Sequence, residues 1–215
     1  GVYFITQGAL QTKLVNVSII YSTIVFFSYL YSIVLLKNKV SIKLIGLILL
    51  SFLGTAFIAA NSFFPTIGKL GVGDLYVLLS AATMAAYSVG RQMLSKDLNN
   101  QEITIVTMLI AGVSGIILAI ISGEHLNISS LFNYEVLIGL AIGIFFNIVS
   151  TFLGNYSFEH LDVVVGNQLL LTESIFSIVI GYILYHEILT VPEVVGAIIV
   201  IISVIFGIKL INNRS

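Results

Sequence analysis

Residues 161–211 read LDVVVGNQLLLTESIFSIVIGYILYHEILTVPEVVGAIIVIISVIFGIKLI, two long apolar runs joined by the polar turn HEILTVPE at 186–193. Each run is about 20 residues, the length that crosses a hydrocarbon core of about 30 Å as an α-helix. Glu173 stands near the middle of the first run. An ionisable group at that depth is costly, and it marks either a functional position or a carboxyl tucked against a partner. The rest of the chain has the same character: 58% of its residues are apolar, 9% are charged, and the mean hydropathy is +1.11. A soluble domain of average make-up carries about a quarter charged residues. The composition therefore specifies an all-α polytopic membrane protein. Strands are excluded because no apolar run alternates with period two. The chain has no cysteine, which rules out disulfides and thiolate metal sites. A net charge of −1 with no basic domain gives nucleic acid nothing to bind.

Outward from this stretch, apolar spans are expected over residues 15–36, 42–60, 74–94, 103–121, 135–156, 163–185 and 194–211. That makes seven full transmembrane helices, with residues 1–10 as the tail of another. Because the chain opens on Gly1 inside an apolar segment, a missing N-terminal part is expected rather than a signal peptide. Residues 61–73 form a loop marked by Pro65, Gly68, Gly71 and Gly73. Asp74 follows, where an acid favours a helix N-terminus. Lys37, Lys39, Lys43, Arg91, Lys96, Lys209 and Arg214 fall at one set of span ends, against Lys13 and Lys69 at the other. Seven against two puts the first set, and the C-terminus, in the cytoplasm. A bacterial inner membrane is the expected location.

The first helix pair echoes the last. Leu10, Asn16 and Ile20 align with Leu161, Asn167 and Leu171 at a shift of 151, and Gly46 with Gly196 at a shift of 150. At about 30 residues per span and loop, such a shift is five spans. An odd repeat unit must enter the membrane in opposite senses in its two copies. The turns agree, since 37–43 is basic where 186–193 is acidic.

Three segments then carry a family resemblance: GDLYVLLSAATMAAYSVGRQML at 73–94, FLGNYSFEHLD at 152–162, and LTESIFSIVIGYILYHEILTVPEVVGAIIVIISVIFG at 171–207. Together they resemble the second EamA-type repeat of the drug/metabolite transporter superfamily. The resemblance implies ten helices in two inverted five-helix halves with both termini cytoplasmic. Residues 1–60 would then close the first repeat, 61–73 link the repeats, 74–211 form the second and 212–215 a cytoplasmic tail. About three helices would lie upstream. The family usually carries Glu-Pro in its ninth helix and Gly-Glu at that helix's end. Here Glu173 keeps the acid, Ser174 stands for the proline, and His186-Glu187 stands for the second motif. Without the proline, the usual cause of a helix break is missing there.

The candidate substrate-binding residues are the polar ones set into apolar spans: Glu173, Gln168 and Thr172 in one, and Asn147, Thr151, Asn155 and Tyr156 in another. Glu173 could meet a substrate amine, carry a coupling proton, or serve as a structural carboxyl. Its stripe includes Gly166 and Ser177. The others either line a cavity or hydrogen-bond between helices. Arg91, near a span end, reads as a snorkelling anchor. Gly139-x-x-x-Gly143 and the cluster Ala81, Ala82, Ala85, Ala86 read as close-packing faces. Asn127-Ile-Ser129 fits a glycosylation sequon. His125, His160 and His186 lack metal-ligand spacing, and no cofactor or metal is expected. The expected function is secondary transport of a small organic solute by alternating access. Its partners are a small-molecule substrate and the lipid bilayer, and a homodimer is allowed for. Two other readings stay open, a membrane-embedded enzyme and a non-transporting scaffold or receptor. Against the enzyme, HExxH, GxSxG and clustered acids are all missing.

Overall fold

The computed structural model describes residues 1–39, 41–64, 70–95, 97–121, 123, 133–186 and 188–212. Pro65, Gly68, Lys69, Lys96, His125, the sequon at 127–129, Glu187 and Arg214 lie outside these residues. Among the described residues all regular structure is α-helical. The helices are α1 Val2–Gln11, α2 Leu14–Tyr21, α3 Ile24–Leu35, α4 Ile42–Ala60 and α5 Val72–Leu94, then α6 Asn100–Ile121, α7 Tyr134–His160, α8 Val163–Leu170, α9 Glu173–Tyr185 and α10 Val191–Asn212. Counting α2 with α3 and α8 with α9, seven segments are long and apolar enough to cross a membrane. These are the seven expected spans.

Two helices begin three residues before their expected start, and capping explains both. At α6, the Glu102 N–H donates to Asn99 Oδ1 and the Asn99 N–H to Glu102 Oε2, each at 2.9 Å. This reciprocal pair satisfies two amides that the first turn would leave without partners. At α10, the Thr190 N–H and hydroxyl donate to Glu193 Oε2 at 2.8 and 3.0 Å. Pro192 sits in that first turn, where its missing N–H costs nothing.

Two of the spans are not continuous helices, which corrects the sequence reading. The first breaks at Ser22-Thr23 and the second at Leu171-Thr172. At both breaks backbone bonds tighten to three-residue spacing, as in Thr23 N–H to Ile20 O at 3.1 Å and Thr172 N–H to Leu169 O at 3.0 Å. Side-chain hydroxyls take the carbonyls. Ser22 and Thr23 donate to Ile19 O and Ile20 O at 2.7 and 2.6 Å, and Thr172 and Ser174 to Leu169 O and Leu171 O at 2.6 and 2.7 Å. In hydrocarbon every backbone group needs a partner, and short hydroxyls supply one without a proline. Ser174, in the proline's place, is itself one of the breaking residues.

The repeat is present in a different register. Lys13 and Asp162 precede α2 and α8; Leu14 and Val163, Ile24 and Glu173, and Ile42 and Val191 open matching helices. Lys37 and His186 share a left-handed backbone, with φ of 57° and 54°. Every one of these pairs is 149 residues apart. The shift of 151 had matched Asn16 with Asn167, but it pairs buried Ile19 with exposed Leu170. A shift of 149 pairs buried Asn16, Ile19 and Ser22 with buried Val165, Gln168 and Leu171. Burial, rather than residue identity, sets the register. The two copies run in opposite senses, because α4 and α10 cross antiparallel: Gly54 faces Gly196, and the Thr190 hydroxyl before α10 bonds Asn61 Oδ1 after α4.

The chain forms two compact units, Gly1–Gly90 with Leu161–Ser215, and Arg91–His160. In the first, α4 and α10 form the most extensive packing, with Ile48, Ser51 and Thr55 buried on one and Val200, Ser203 and Val204 on the other. A Cβ on Gly54 would stand 2.8 Å from Gly196 O, and one on Gly196 2.5 Å from Gly54 O, so only hydrogen fits at the crossing. On α5, Val77, Ala81, Ala85 and Val89 are fully buried. Ala86 of the alanine cluster is exposed. In the second unit α6 packs on α7, where Asn155 bonds Thr104; Ile103 and Phe158 are buried, and most of the remaining apolar surface of the two helices is exposed, as on a lipid-facing surface. Gly139 and Gly143 do not mark a helix crossing among the described residues: nothing lies within 4 Å of a Cβ at either. They line a groove of about 460 Å³ with Met108, Leu140, Ile144, Asn147 and Ile148.

Candidate functional site at the second helix break

The α8–α9 break concentrates polar groups in an apolar setting. Asp162 caps α8 by accepting the Val164 N–H at 2.9 Å. Residues 163–168 are all buried. Asn167 donates its amide to Ser28 Oγ of α3 at 2.6 Å and accepts from Ser88 Oγ of α5 at 3.3 Å, so one side chain ties α8 to two neighbours. Gln168 is fully buried, and its Oε1 lies 2.6 Å from where a Cβ on Gly207 of α10 would stand. Among the described residues, neither its carboxamide oxygen nor its nitrogen has a hydrogen-bond partner. A polar group left so costs about 1–3 kcal/mol.

Thr172 occupies the N-cap of α9, and Glu173 is its first residue. Glu173 is exposed, and Tyr21, the last residue of α2, lies within electrostatic reach of it. A carboxylate at a helix N-terminus is favoured by the helix dipole. The expected stripe through Gly166 and Ser177 does not run on one face, because the helix restarts at Glu173. Gly166 is buried on α8, while Ser177 is exposed on α9 and donates to Glu173 O at 3.1 Å.

The remaining predicted residues belong to the second unit. Asn147 lines the groove beside Gly139 and Gly143. Thr151 is half-buried. Asn155 is buried and donates to Thr104 Oγ1 at 3.0 Å, holding α7 to α6. The exposed Tyr156 ring lies against His160, with centroids 4.2 Å apart. Glu173, Gln168 and Thr172 are thus brought together at one break, and the other four are spread along α7.

Residues 71–208 match the family model of the EamA-like transporter family. That is more than half of the chain. The chain belongs to the EamA-like transporter family. It is a multi-pass integral membrane protein of the drug/metabolite transporter type. No curated protein matches it.

In this EamA-like chain two polar clusters escaped sequence reasoning. Asp74 accepts from the Gly71 N–H at 2.7 Å, from Thr12 Oγ1 at 2.7 Å and from Asn16 Nδ2 at 3.1 Å, and so locks α1, α2 and α5 at one end. Asn167 with Ser28 and Ser88 is the second. Each polar residue is visible in the sequence, but which helices face one another is not. Arg91 is corrected outright. Its side chain is 0% exposed, so it does not snorkel. It sits on the last turn of α5, 3.8 Å from Glu159 Oε2 and 3.5 Å from Asn100 Oδ1. Asn100 in turn donates to Phe152 O at 3.3 Å. Three helix ends converge there, and a guanidinium with five donors suits such a junction.

Proposed function

We propose that this chain is a secondary transporter of a small organic solute, working by alternating access between its inverted repeats, with the α8–α9 break as the solute contact. The observation that carries this reading is Gln168. A buried carboxamide without a partner is a standing cost, retained where a ligand completes it. Discontinuous transmembrane helices near the middle of the bilayer are where transporters of inverted-repeat design hold substrate. Glu173 supplies the charge next to the break. It accepts hydrogen bonds from a solute amine or carries a proton, while Thr172 adds a neutral polar contact. Amino acids, nucleosides and lipophilic amines all fit that chemistry. The basic residues at the ends of α3, α5 and α10 support a cytoplasmic C-terminus in a bacterial inner membrane.

Uptake by the full-length protein in vesicles, across a panel of such solutes, tests the reading. Gln168→Leu exchanges an unpartnered amide for apolar volume, so thermal stability in detergent should hold or rise while uptake falls at least tenfold. Glu173→Gln should cripple uptake at normal membrane expression. Unchanged uptake by both variants would remove the break from the mechanism.

A further inference from the structure

The first helix break differs from the second in what lines it. A groove of about 380 Å³ opens beside it within the first compact unit, walled by Ile19 and Ile20 of α2, Phe52 of α4, and Leu70, Leu75 and Leu78 ahead of and along α5. At the 149-residue shift Ile19 matches Gln168, so hydrocarbon stands here where the second break carries a carboxamide. Thr23 also lines the groove, but its hydroxyl is occupied by Ile20 O at 2.6 Å. One charged side chain reaches it, Asp74, at the end where α2 and α5 begin. Asp74 is 5% exposed, and its three hydrogen bonds come from neutral donors, the Gly71 N–H, Thr12 and Asn16. Lys13, next to Thr12, is exposed at the N-cap of α2. Arg91 with Glu159 is the one ion pair among the described residues, so neither Asp74 nor Lys13 is matched there by an opposite charge. Thr23 lies nine residues beyond Leu14. At about 1.5 Å per residue that is about 14 Å deeper, close to one leaflet's share of a hydrocarbon core of about 30 Å.

We propose that this groove binds one phospholipid whose headgroup joins a primary ammonium to a phosphate, with the ammonium at Asp74, the phosphate at Lys13 and an acyl chain laid along the wall to Thr23. The hydrogen bonds of Asp74 are met by protein, but its charge is not. An anion without a counter-ion at the edge of the hydrocarbon is costly, and an ammonium relieves it. Opposite charges at one groove mouth match a zwitterionic headgroup and discriminate against the alternatives. An amine without a phosphate leaves Lys13 unmatched, and an anionic headgroup sets like charge against Asp74. The trimethylammonium of a choline lipid has no N–H to donate and is too broad for a carboxylate so little exposed. Below the mouth, the Gly71 N–H and the Thr23 hydroxyl are already bonded to protein, so hydrocarbon is what the wall accepts.

The test uses the full-length protein in phosphatidylcholine vesicles that contain a little phosphatidylethanolamine with a photoreactive diazirine in its acyl chain. Light should attach the probe within residues 19–23 or 75–78, read by peptide mapping. Unlabelled phosphatidylethanolamine should compete the attachment away. Added phosphatidylcholine or phosphatidylglycerol with the same chains should not, and neither should dodecylamine. Lys13→Gln and Leu78→Trp change exposed side chains and leave the Asp74 hydrogen bonds in place, so the protein should fold. Each should lower attachment about threefold or more, the first by removing the phosphate's partner and the second by filling the groove. Equal competition by phosphatidylcholine would make the contact an unselective one with bulk lipid. Stronger competition by dodecylamine or by phosphatidylglycerol would give the groove to a free amine or to an anionic lipid. Attachment confined to other residues, or undiminished in either variant, would place the lipid elsewhere. Each of these results overturns the proposal, and none depends on whether the protein moves a solute.

Discussion

At the scale of single residues, what sets a polar group's role is whether its partner is protein. Asn167, Asn155 and Asp74 are satisfied by neighbouring helices, and Gln168 is not. Asn155, Asn167 and Gln168 look alike in sequence, as polar letters in apolar runs, and Asp74 reads there only as an acid at a helix start, so the sequence does not tell which of them lacks a protein partner. Arg91 shows the same limit. Its place near a span end was readable, but snorkelling or burial depends on Glu159 and Asn100, which lie 68 and nine residues away. Gly207 gives a test of the Gln168 contact that leaves the amide in place. In Gly207→Ala the new methyl would start 2.6 Å from Gln168 Oε1, the far end of a flexible side chain. The side chain can yield, so stability should change by less than about 1 kcal/mol. The amide must move, however, and solute affinity should fall: KM should rise severalfold at similar protein levels. An unchanged KM would separate Gln168 from the solute.

At the scale of elements, the spans were legible because length and hydropathy alone decide them in a bilayer. The breaks were not, because proline is the sequence cue for a break and here hydroxyls make it. Thr172→Val with Ser174→Ala removes both hydroxyls and lets the carbonyls at 169 and 171 return to ordinary helical partners. Uptake should be lost while helicity and thermal stability hold. Ser174→Pro keeps a break, since proline is tolerated in a first helical turn, and should retain most of the uptake. Equal activity in both variants would show that the break is incidental. The α4–α10 crossing makes the complementary point about packing. Gly54→Ala and Gly196→Ala each drive a methyl into opposing backbone, which cannot yield, and should cost about 1–3 kcal/mol in melting experiments. Gly46 on the same helix has nothing within 4 Å of a Cβ, so Gly46→Ala should be neutral or stabilising by up to about 1 kcal/mol.

At the scale of the whole molecule, the sequence revealed that the chain repeats and that the repeat is inverted, yet its register was off by two residues in the first helix of the pair and by one in the second. Identity between the copies is too thin to place it: Asn16 and Asn167 match by letter and are both buried, but the same shift sets buried Ile19 against exposed Leu170, where a shift of 149 sets it against buried Gln168. Helix starts, breaks and left-handed caps fix the register because they follow from backbone geometry, which both copies must share. The odd number of spans between copies ties this register to topology. From Asn38, after α3, the chain crosses the membrane in α4, α5 and α6 before reaching Asn133, ahead of α7. Three crossings put Asn38 and Asn133 on opposite faces. The basic ends decide which is which, since Lys37, Lys39 and Lys43 flank Asn38 and no Lys or Arg falls between 122 and 134. Moving such a cluster across during insertion is disfavoured, so Asn38 is expected inside. These 215 residues hold no cysteine, so in right-side-out vesicles, with any cysteine outside them replaced by serine, an impermeant maleimide should label Asn133→Cys and spare Asn38→Cys until the membrane is opened. Labelling of both from one side would break the count of crossings and the inverted repeat with it. Labelling of Asn38→Cys alone would keep the repeat and reverse its orientation.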